Sequence, residues 1–151
     1  MRNMNFGKNI KRLSDITMLQ PFIDQHKCII IIGLAGAGKT TLTDSLDTSE
    51  FNVIHTDKYI ELPYKDQLYK LLSDIKMLAK DNAPLIIEGV IGYRLLRKIE
   101  QLNISYIRPD LIIICVSDNI PDNPINAGLI KIWNDYLRIC KSLPTIIVFE
   151  R

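Results

Sequence analysis

Four consecutive isoleucines at positions 29–32 lead directly into the glycine-rich stretch GLAGAGKT, residues 33–40. An unbroken apolar run is typical of a strand covered on both faces, as in a parallel sheet, because an exposed face would carry polar residues at alternate positions. Four further apolar runs follow, at residues 51–55, 85–88, 111–116 and 145–149. The sequence therefore predicts a five-stranded parallel sheet.

The segments between these runs have helical spacing, with apolar residues recurring at intervals of three or four. The residues that share a predicted helix face are Leu68, Leu71, Leu72, Ile75 and Leu78; Leu95, Leu96, Ile99 and Leu102; and Leu129, Ile130, Trp133, Leu137 and Cys140. Strands that alternate with helices predict a doubly wound α/β fold.

Both ends of this pattern carry further helix signals. Asn123 followed by Pro124 predicts the capped start of the helix before the last apolar run. Residues 1–25 are predicted to form one additional helix, an N-terminal extension. Its inward-facing residues would be Ile10, Leu13, Ile16 and Leu19.

Length and charge exclude several classes of protein. A chain of 151 residues suits a single domain, residues 1–151, and a net charge of +2 indicates neither nucleic acid nor a membrane surface as partner. No apolar stretch approaches the roughly 18 residues of a membrane span, and the N-terminus lacks the apolar core of a signal peptide. Cys28, Cys115 and Cys140 fit no zinc pattern, so we expect free thiols in a reducing, cytoplasmic compartment.

The glycine-rich stretch has the spacing of a phosphate-binding P-loop, G-x-x-x-x-G-K-T, in the required setting between a strand and a helix. Glycines let backbone N–H groups approach a phosphate chain and tolerate positive φ, and the following helix directs its positive end at the same anion. We expect Lys39 to reach the β- and γ-phosphates and Thr40 to bind Mg²⁺. The predicted nucleotide-binding residues are Gly33, Leu34, Ala35, Gly36, Ala37, Gly38, Lys39, Thr40 and Thr41.

Two classes of P-loop protein do not fit. Guanine-specific GTPases carry an N-K-x-D motif after a later strand, whereas the loop after the fourth apolar run reads SDNIPDN. Oligomeric ATPases need sensor and arginine-finger segments for which 151 residues leave no room.

The chain resembles the small P-loop kinases that phosphorylate nucleosides, nucleotides, sugar acids or vitamins. Beside GLAGAGKTTL, residues 54–61 (IHTDKYIE) resemble a segment after the second strand of uridine and pantothenate kinases. Residues 85–98 (LIIEGVIGYRLLRK) resemble the E-G segment of uridine kinases and, at their end, the Y-R-x-x-L-R pattern of gluconate kinases. The resemblance covers roughly residues 28–120. It implies the strand order 2-3-1-4-5, with Asp57 and Glu88 at the crevice beyond the carboxyl ends of the strands.

The predicted catalytic residues are Lys39, Asp57 and Glu88. We expect Asp57 to hold the acceptor hydroxyl and take its proton, with His55 as a competing candidate; a solvated turn aspartate is the alternative. Glu88 ends an apolar strand, where a carboxylate is costly unless it faces a site. It is expected to hold a Mg²⁺-bound water or an acceptor hydroxyl, or else to pair with a nearby lysine.

The predicted substrate-binding residues are Asp57, Tyr59, Glu88, Arg94 and Arg97. Arg94 and Arg97 are three residues apart and share a helix face, so either could hold an anionic acceptor. Alternatively, they form a solvated basic face with neighbouring lysines. Tyr59, with Tyr64, could line an acceptor pocket or lie partly buried under a helix.

Two features depart from the resemblance. The candidate lid, residues 117–130, contains none of the arginines that clamp the transferring group in these kinases; Lys131 is near and Arg138 is two turns into the next helix. Either another arginine takes this role, or phosphoryl transfer is slow, or the lid function has been lost. The sequence stops at Arg151, just after the fifth run, so we expect weak selectivity between ATP and GTP.

The leading interpretation is an enzyme that uses ATP and Mg²⁺ to phosphorylate a hydroxyl group of a small, possibly nucleoside-like acceptor. Its partners would be a nucleoside triphosphate and that acceptor. A toxin-like kinase acting on a nucleotide sugar is one alternative. A nucleotide-binding regulatory module with little turnover is another, which the arginine-free lid favours.

Overall fold

The computed structural model describes residues 10–118 and 120–150. The strands are β1 (Ile10–Leu13), β2 (Cys28–Gly33), β3 (Asn52–His55), β4 (Leu85–Glu88), β5 (Leu111–Val116) and β6 (Thr145–Glu150). The α-helices are α1 (Ile16–Asp24), α2 (Lys39–Ser45), α3 (Tyr64–Ala79), α4 (Ile91–Leu102) and α5 (Pro124–Ile139). A 3₁₀ turn, Thr56–Tyr59, follows β3.

The strands form one parallel sheet in the order β1-β6-β5-β2-β4-β3. The prediction of five strands was wrong, because β1 is added beside β6 and the complete order differs accordingly. The five apolar runs are the strands β3-β4-β2-β5-β6 of this sheet. The glycine-rich loop therefore follows a central strand, β2, which lies between β4 and β5.

The N-terminal segment corrects the prediction of one helix over residues 1–25. Its first described residues form β1, which pairs with β6 along its whole length. The three-residue spacing of Ile10 and Leu13 suggested a helix face, but in a strand it places the two side chains on opposite faces. Each packs against the core on a different side of the sheet. Residues 1–9 lie outside the described residues.

The helix of this segment starts only at Ile16, because Asp15 caps it. The Asp15 side chain accepts a hydrogen bond from the backbone nitrogen of Thr17 at 2.9 Å, and its backbone is extended. A chain that is extended at Asp15 cannot continue a helix from the residues before it.

Helices cover both faces of the sheet, which confirms the predicted α/β architecture. Ile30 and Ile32 of β2 pack in the core under α3, α4 and α5, whereas Ile29 and Ile31 pack in the core under α1 and α2. Successive side chains of a strand point to opposite faces, so both faces of β2 need apolar residues. This accounts for the uninterrupted isoleucines.

The predicted inward faces of the helices are correct with one exception. Leu68, Leu71 and Ile75 of α3 and Trp133 of α5 are buried. Leu102 in the last turn of α4 was predicted to face inward, but it is 62% exposed. Within the described ranges, none of the helices combines the length and the apolar character that crossing a bilayer requires.

Candidate functional site

Glycine is required at several points of the loop that joins β2 to α2. Gly36 and Gly38 have φ values of 90° and 87°, in the left-handed region that other residues rarely adopt. Gly33 is needed for a different reason. A Cβ atom there would lie 2.8 Å from the carbonyl oxygen of Cys115 in the neighbouring strand β5.

Lys39, the first residue of α2, folds back over this loop. Its Nζ atom donates a hydrogen bond to the carbonyl oxygen of Leu34 at 3.1 Å. Burial lowers the pKa of the Lys39 ammonium group, and the ionisable groups of Cys115, Glu88 and Asp57 oppose that shift. An ammonium group held against a neutral carbonyl, in a partly desolvated place, is suited to receive an anion.

The region between the glycine-rich loop and the ends of β3 and β4 is called the crevice below, and Glu88, with an exposed fraction of 1%, is the buried carboxylate at its floor. Its Oε1 atom accepts a hydrogen bond from the hydroxyl of Thr40 at 3.1 Å and lies 2.9 Å from Nδ1 of His55. The structure therefore brings together the end of β3, the end of β4 and the start of α2. Of the alternatives for Glu88, a lysine salt bridge is not formed among the described residues.

Asp57 lies in the 3₁₀ turn after β3 with an exposed side chain. It is near enough to Lys39 for its charge to act on the pKa of that lysine. The structure thus places Asp57 at the rim of the crevice, whereas Glu88 lies at its floor.

The turns after β3 and β4 fit closely against each other. Gly89 has a φ of 133°, and a Cβ atom there would lie 1.9 Å from Oγ1 of Thr56. Thr56 is fully buried, and its hydroxyl has no hydrogen-bond partner among the described residues. This contact fixes Glu88 relative to the turn that carries Asp57.

Three of the predicted substrate-binding residues make their contacts elsewhere in the fold. Tyr59 is buried, and its hydroxyl donates to Asp74 of α3 at 2.5 Å; burial raises the pKa of this tyrosine. Arg94 is only 9% exposed and lies between α3 and α4, and Arg97 pairs with Asp135 of α5 at 3.3 Å. The structure does not bring these three side chains together with Glu88 at the crevice floor.

The candidate lid, residues 117–130, includes the start of α5. Residues 117–123 connect β5 to α5, but residues 124–130 form the first two turns of α5. Asn123 caps this helix as expected, since its side chain accepts from the backbone nitrogen of Asn126 at 2.8 Å. The predicted start at Pro124 is confirmed, and a lid role for residues 117–130 stays a prediction.

Sequence reasoning missed Asn126, whose side chain connects the glycine-rich loop to the β5–α5 connection. Its Oδ1 atom accepts from the backbone nitrogen of Ala35 at 2.9 Å, and its Nδ2 atom donates to the carbonyl oxygen of Pro121 at 2.9 Å. Asn126 is 2% exposed. A polar residue on the predicted buried side of α5 was the one available signal.

Comparison with models of known protein families finds no match to this sequence, and a search of curated proteins finds none either. The functional argument therefore depends on the geometry of the crevice.

Proposed function

We propose that the chain binds ATP with Mg²⁺ at this crevice and transfers the γ-phosphoryl group to a hydroxyl group of a small, nucleoside-like acceptor. One contact supports this above all: the hydroxyl of Thr40 donates to the buried carboxylate of Glu88. In P-loop sites the Ser or Thr of the loop binds the metal ion, and a carboxylate from a neighbouring strand assists.

The residues at this point fit a magnesium ion. No group of three or more His, Cys, Asp or Glu side chains in the described ranges is arranged to hold a metal. Thr40 and Glu88 offer two oxygen ligands, and Mg²⁺ commonly takes its others from water and substrate phosphates. A magnesium ion held there would neutralise negative charge on the phosphate oxygens.

The chain's own groups would divide the remaining tasks. The backbone N–H groups of the loop bind the phosphates, and Lys39 exchanges the carbonyl of Leu34 for a phosphate oxygen. Asp57, at the rim, accepts the proton of the acceptor hydroxyl. Glu88 keeps Thr40 in position and orients His55 through the same carboxylate.

A regulatory module that binds the nucleotide with little turnover is the second candidate. It is favoured by the β5–α5 connection, residues 117–123, whose sequence holds no arginine. Arg97 is paired with Asp135 of α5, so it is a poor substitute for a lid arginine.

The test is thermal unfolding with and without ATP–Mg²⁺, followed by a transfer assay against a panel of nucleosides, sugars and vitamins. A ligand at a hundredfold excess over its Kd stabilises the native state by about 2.7 kcal/mol. We expect Lys39→Ala to remove this shift. Lys141→Ala, an exposed lysine in the loop before β6, should leave it unchanged.

Absence of a thermal shift with ATP, GTP and their diphosphates would refute nucleotide binding. A shift without transfer to any acceptor would favour the regulatory module. Comparable shifts with ATP and GTP would indicate weak recognition of the base.

A further inference from the structure

A separate cavity of about 290 Å³ lies between α3 and α4. Its lining residues belong only to these two helices, and none comes from the phosphate loop, β3, β4 or the turn with Asp57. The volume is close to the lower end of small-molecule pockets, which is roughly 300 Å³. This α3–α4 groove is therefore large enough for a small ligand and distinct from the crevice.

The charged residues that line the groove are all positive. Lys65, Arg94, Arg97 and Lys98 line it, and no lining residue is acidic. Asp135 offsets the charge of Arg97 from outside the groove. The groove therefore has an excess of positive charge, which favours an anionic ligand.

Arg94 gives the strongest reason to expect an anionic ligand. It is 9% exposed, yet its guanidinium group donates only to neutral acceptors, Oε1 of Gln67 and the carbonyl oxygen of Tyr64, both at 2.8 Å. Among the described residues no carboxylate lies within ion-pair distance of it. Burial lowers the pKa of Arg94, and the like charge of Arg97 acts in the same direction. Buried cations normally have a counter-ion, because desolvation of an uncompensated charge is costly.

Two exposed tyrosines suggest that the ligand contains a ring. Tyr64 is 66% exposed and its ring stacks on the guanidinium of Arg94 at 3.7 Å; Tyr69 is 76% exposed. Leu68 and Leu72 also line the groove. Exposed aromatic rings beside cations are the usual platform for bases of nucleotides.

We propose that the α3–α4 groove binds a small anion that carries an aromatic ring, of the size of a nucleoside monophosphate. Arg94 and Lys98 pair with the anionic group, and Tyr64 and Tyr69 contact the ring. The volume of about 290 Å³ fits a small molecule better than a peptide helix, and the net charge of +2 is low for a nucleic-acid partner. This proposal does not depend on the proposed function, because the two sites share no residue.

The test is a titration of the full chain with AMP, measured by isothermal calorimetry. Adenosine, which lacks the anion, and ribose 5-phosphate, which lacks the ring, should each bind at least tenfold more weakly than AMP. Lys98→Glu should weaken AMP at least tenfold, because it places a carboxylate one helical turn from Arg94 that competes with the ligand. Lys76→Glu is the matched control: it lies on α3 outside the groove and should have no effect.

Lys39→Ala separates the groove from the phosphate loop. AMP binding that survives Lys39→Ala and falls in Lys98→Glu supports the groove, whatever happens to ATP binding. AMP binding that is lost in Lys39→Ala and unchanged in Lys98→Glu would overturn it. So would the absence of AMP binding at millimolar concentration, or equal binding of AMP and ribose 5-phosphate.

Discussion

The side-chain oxygen of Asn126 accepts a hydrogen bond from the backbone nitrogen of Ala35 at 2.9 Å, across 91 residues of sequence. The same amide group donates to the carbonyl of Pro121. One buried side chain thus connects the β5–α5 connection to the glycine-rich loop.

Asn126→Ala should weaken ATP binding and destabilise the fold. The substitution removes the hydrogen bonds to the backbone of Ala35 and Pro121, each of which contributes about 0.5–1.5 kcal/mol. Asn126→Asp keeps an acceptor for Ala35 but places a buried negative charge against the carbonyl of Pro121 and beside the loop, so it should weaken ATP binding at least as strongly. Calorimetry and amide hydrogen exchange at Ala35 measure both effects. Equal ATP affinity in Asn126→Ala and the parent chain would contradict this role.

Glu88→Gln should separate metal dependence from nucleotide binding. The amide oxygen can still accept from Thr40, but the negative charge is removed. We expect ATP binding without Mg²⁺ to change little, whereas the gain in affinity on adding Mg²⁺ and the transfer rate should fall. Glu50→Gln, an exposed glutamate before β3, serves as control. An unchanged magnesium dependence would exclude Glu88 from the metal's surroundings.

Asp57→Asn should reduce transfer while leaving nucleotide binding nearly intact. The amide is isosteric with the carboxylate but cannot accept a proton, and loss of a general base typically costs about 10²–10⁴-fold in rate. Asp66→Asn, an exposed aspartate in the first turn of α3, is the control. If ATP–Mg²⁺ affinity falls by more than the rate, Asp57 acts on the metal, and Glu88 becomes the better candidate for the base.

Gly89→Ala should destabilise the protein strongly. Its φ of 133° disfavours any other residue, with a cost of about 1–3 kcal/mol, and the new methyl group meets Thr56. Thr56→Ala in the same chain should recover only the part due to the hydroxyl. Gly128→Ala in α5, where a methyl group meets open space, should be neutral or stabilising by up to about 1 kcal/mol. Chemical denaturation measures all three, and equal effects at Gly89 and Gly128 would refute the close fit.

The affinity for ATP should decline with rising pH earlier than an ordinary lysine would allow. Burial lowers the pKa of Lys39, so the free protein loses this proton below the usual value of about 10.4. In the window between the two pKa values the unfolded chain binds more protons, so this group's contribution to the free energy of unfolding rises with pH. Binding of ATP should fall in the same window. Lys39→Arg should extend binding to higher pH, and an identical pH profile in the two proteins would contradict this explanation.

Parts of the fold follow from the sequence because they depend on local periodicity. Ile29 to Ile32 identify a two-sided strand, and the spacing of Leu68, Leu71 and Ile75 identifies a helix face. Residues 10–13 could not be assigned in this way, because four residues carry too little periodicity and their strand exists through pairing with β6. A partner 130 or so residues away leaves no local signal.

The residues of the candidate site also differ in whether the sequence alone could identify them. The glycines and Lys39 are recognisable because their spacing alone predicts a phosphate-binding loop. The partners of Glu88 and the position of Asn126 depend on which strands and helices meet, so sequence reasoning did not find them. Arg94 illustrates the converse: its charge suggested the crevice, but its contacts with Gln67 and Tyr64 place it in the α3–α4 groove.

The pairing of β1 with β6 also bears on the behaviour of the chain in concentrated solution. Residues 146–149 of β6 are apolar and rich in β-branched side chains, the composition that stacks into cross-β fibrils when an edge is open. β1 covers that edge and presents Lys11 and Arg12 instead, and charged side chains on a short outer strand discourage a further strand from adding. Residues 10–13 thereby cover the edge of this aggregation-prone segment.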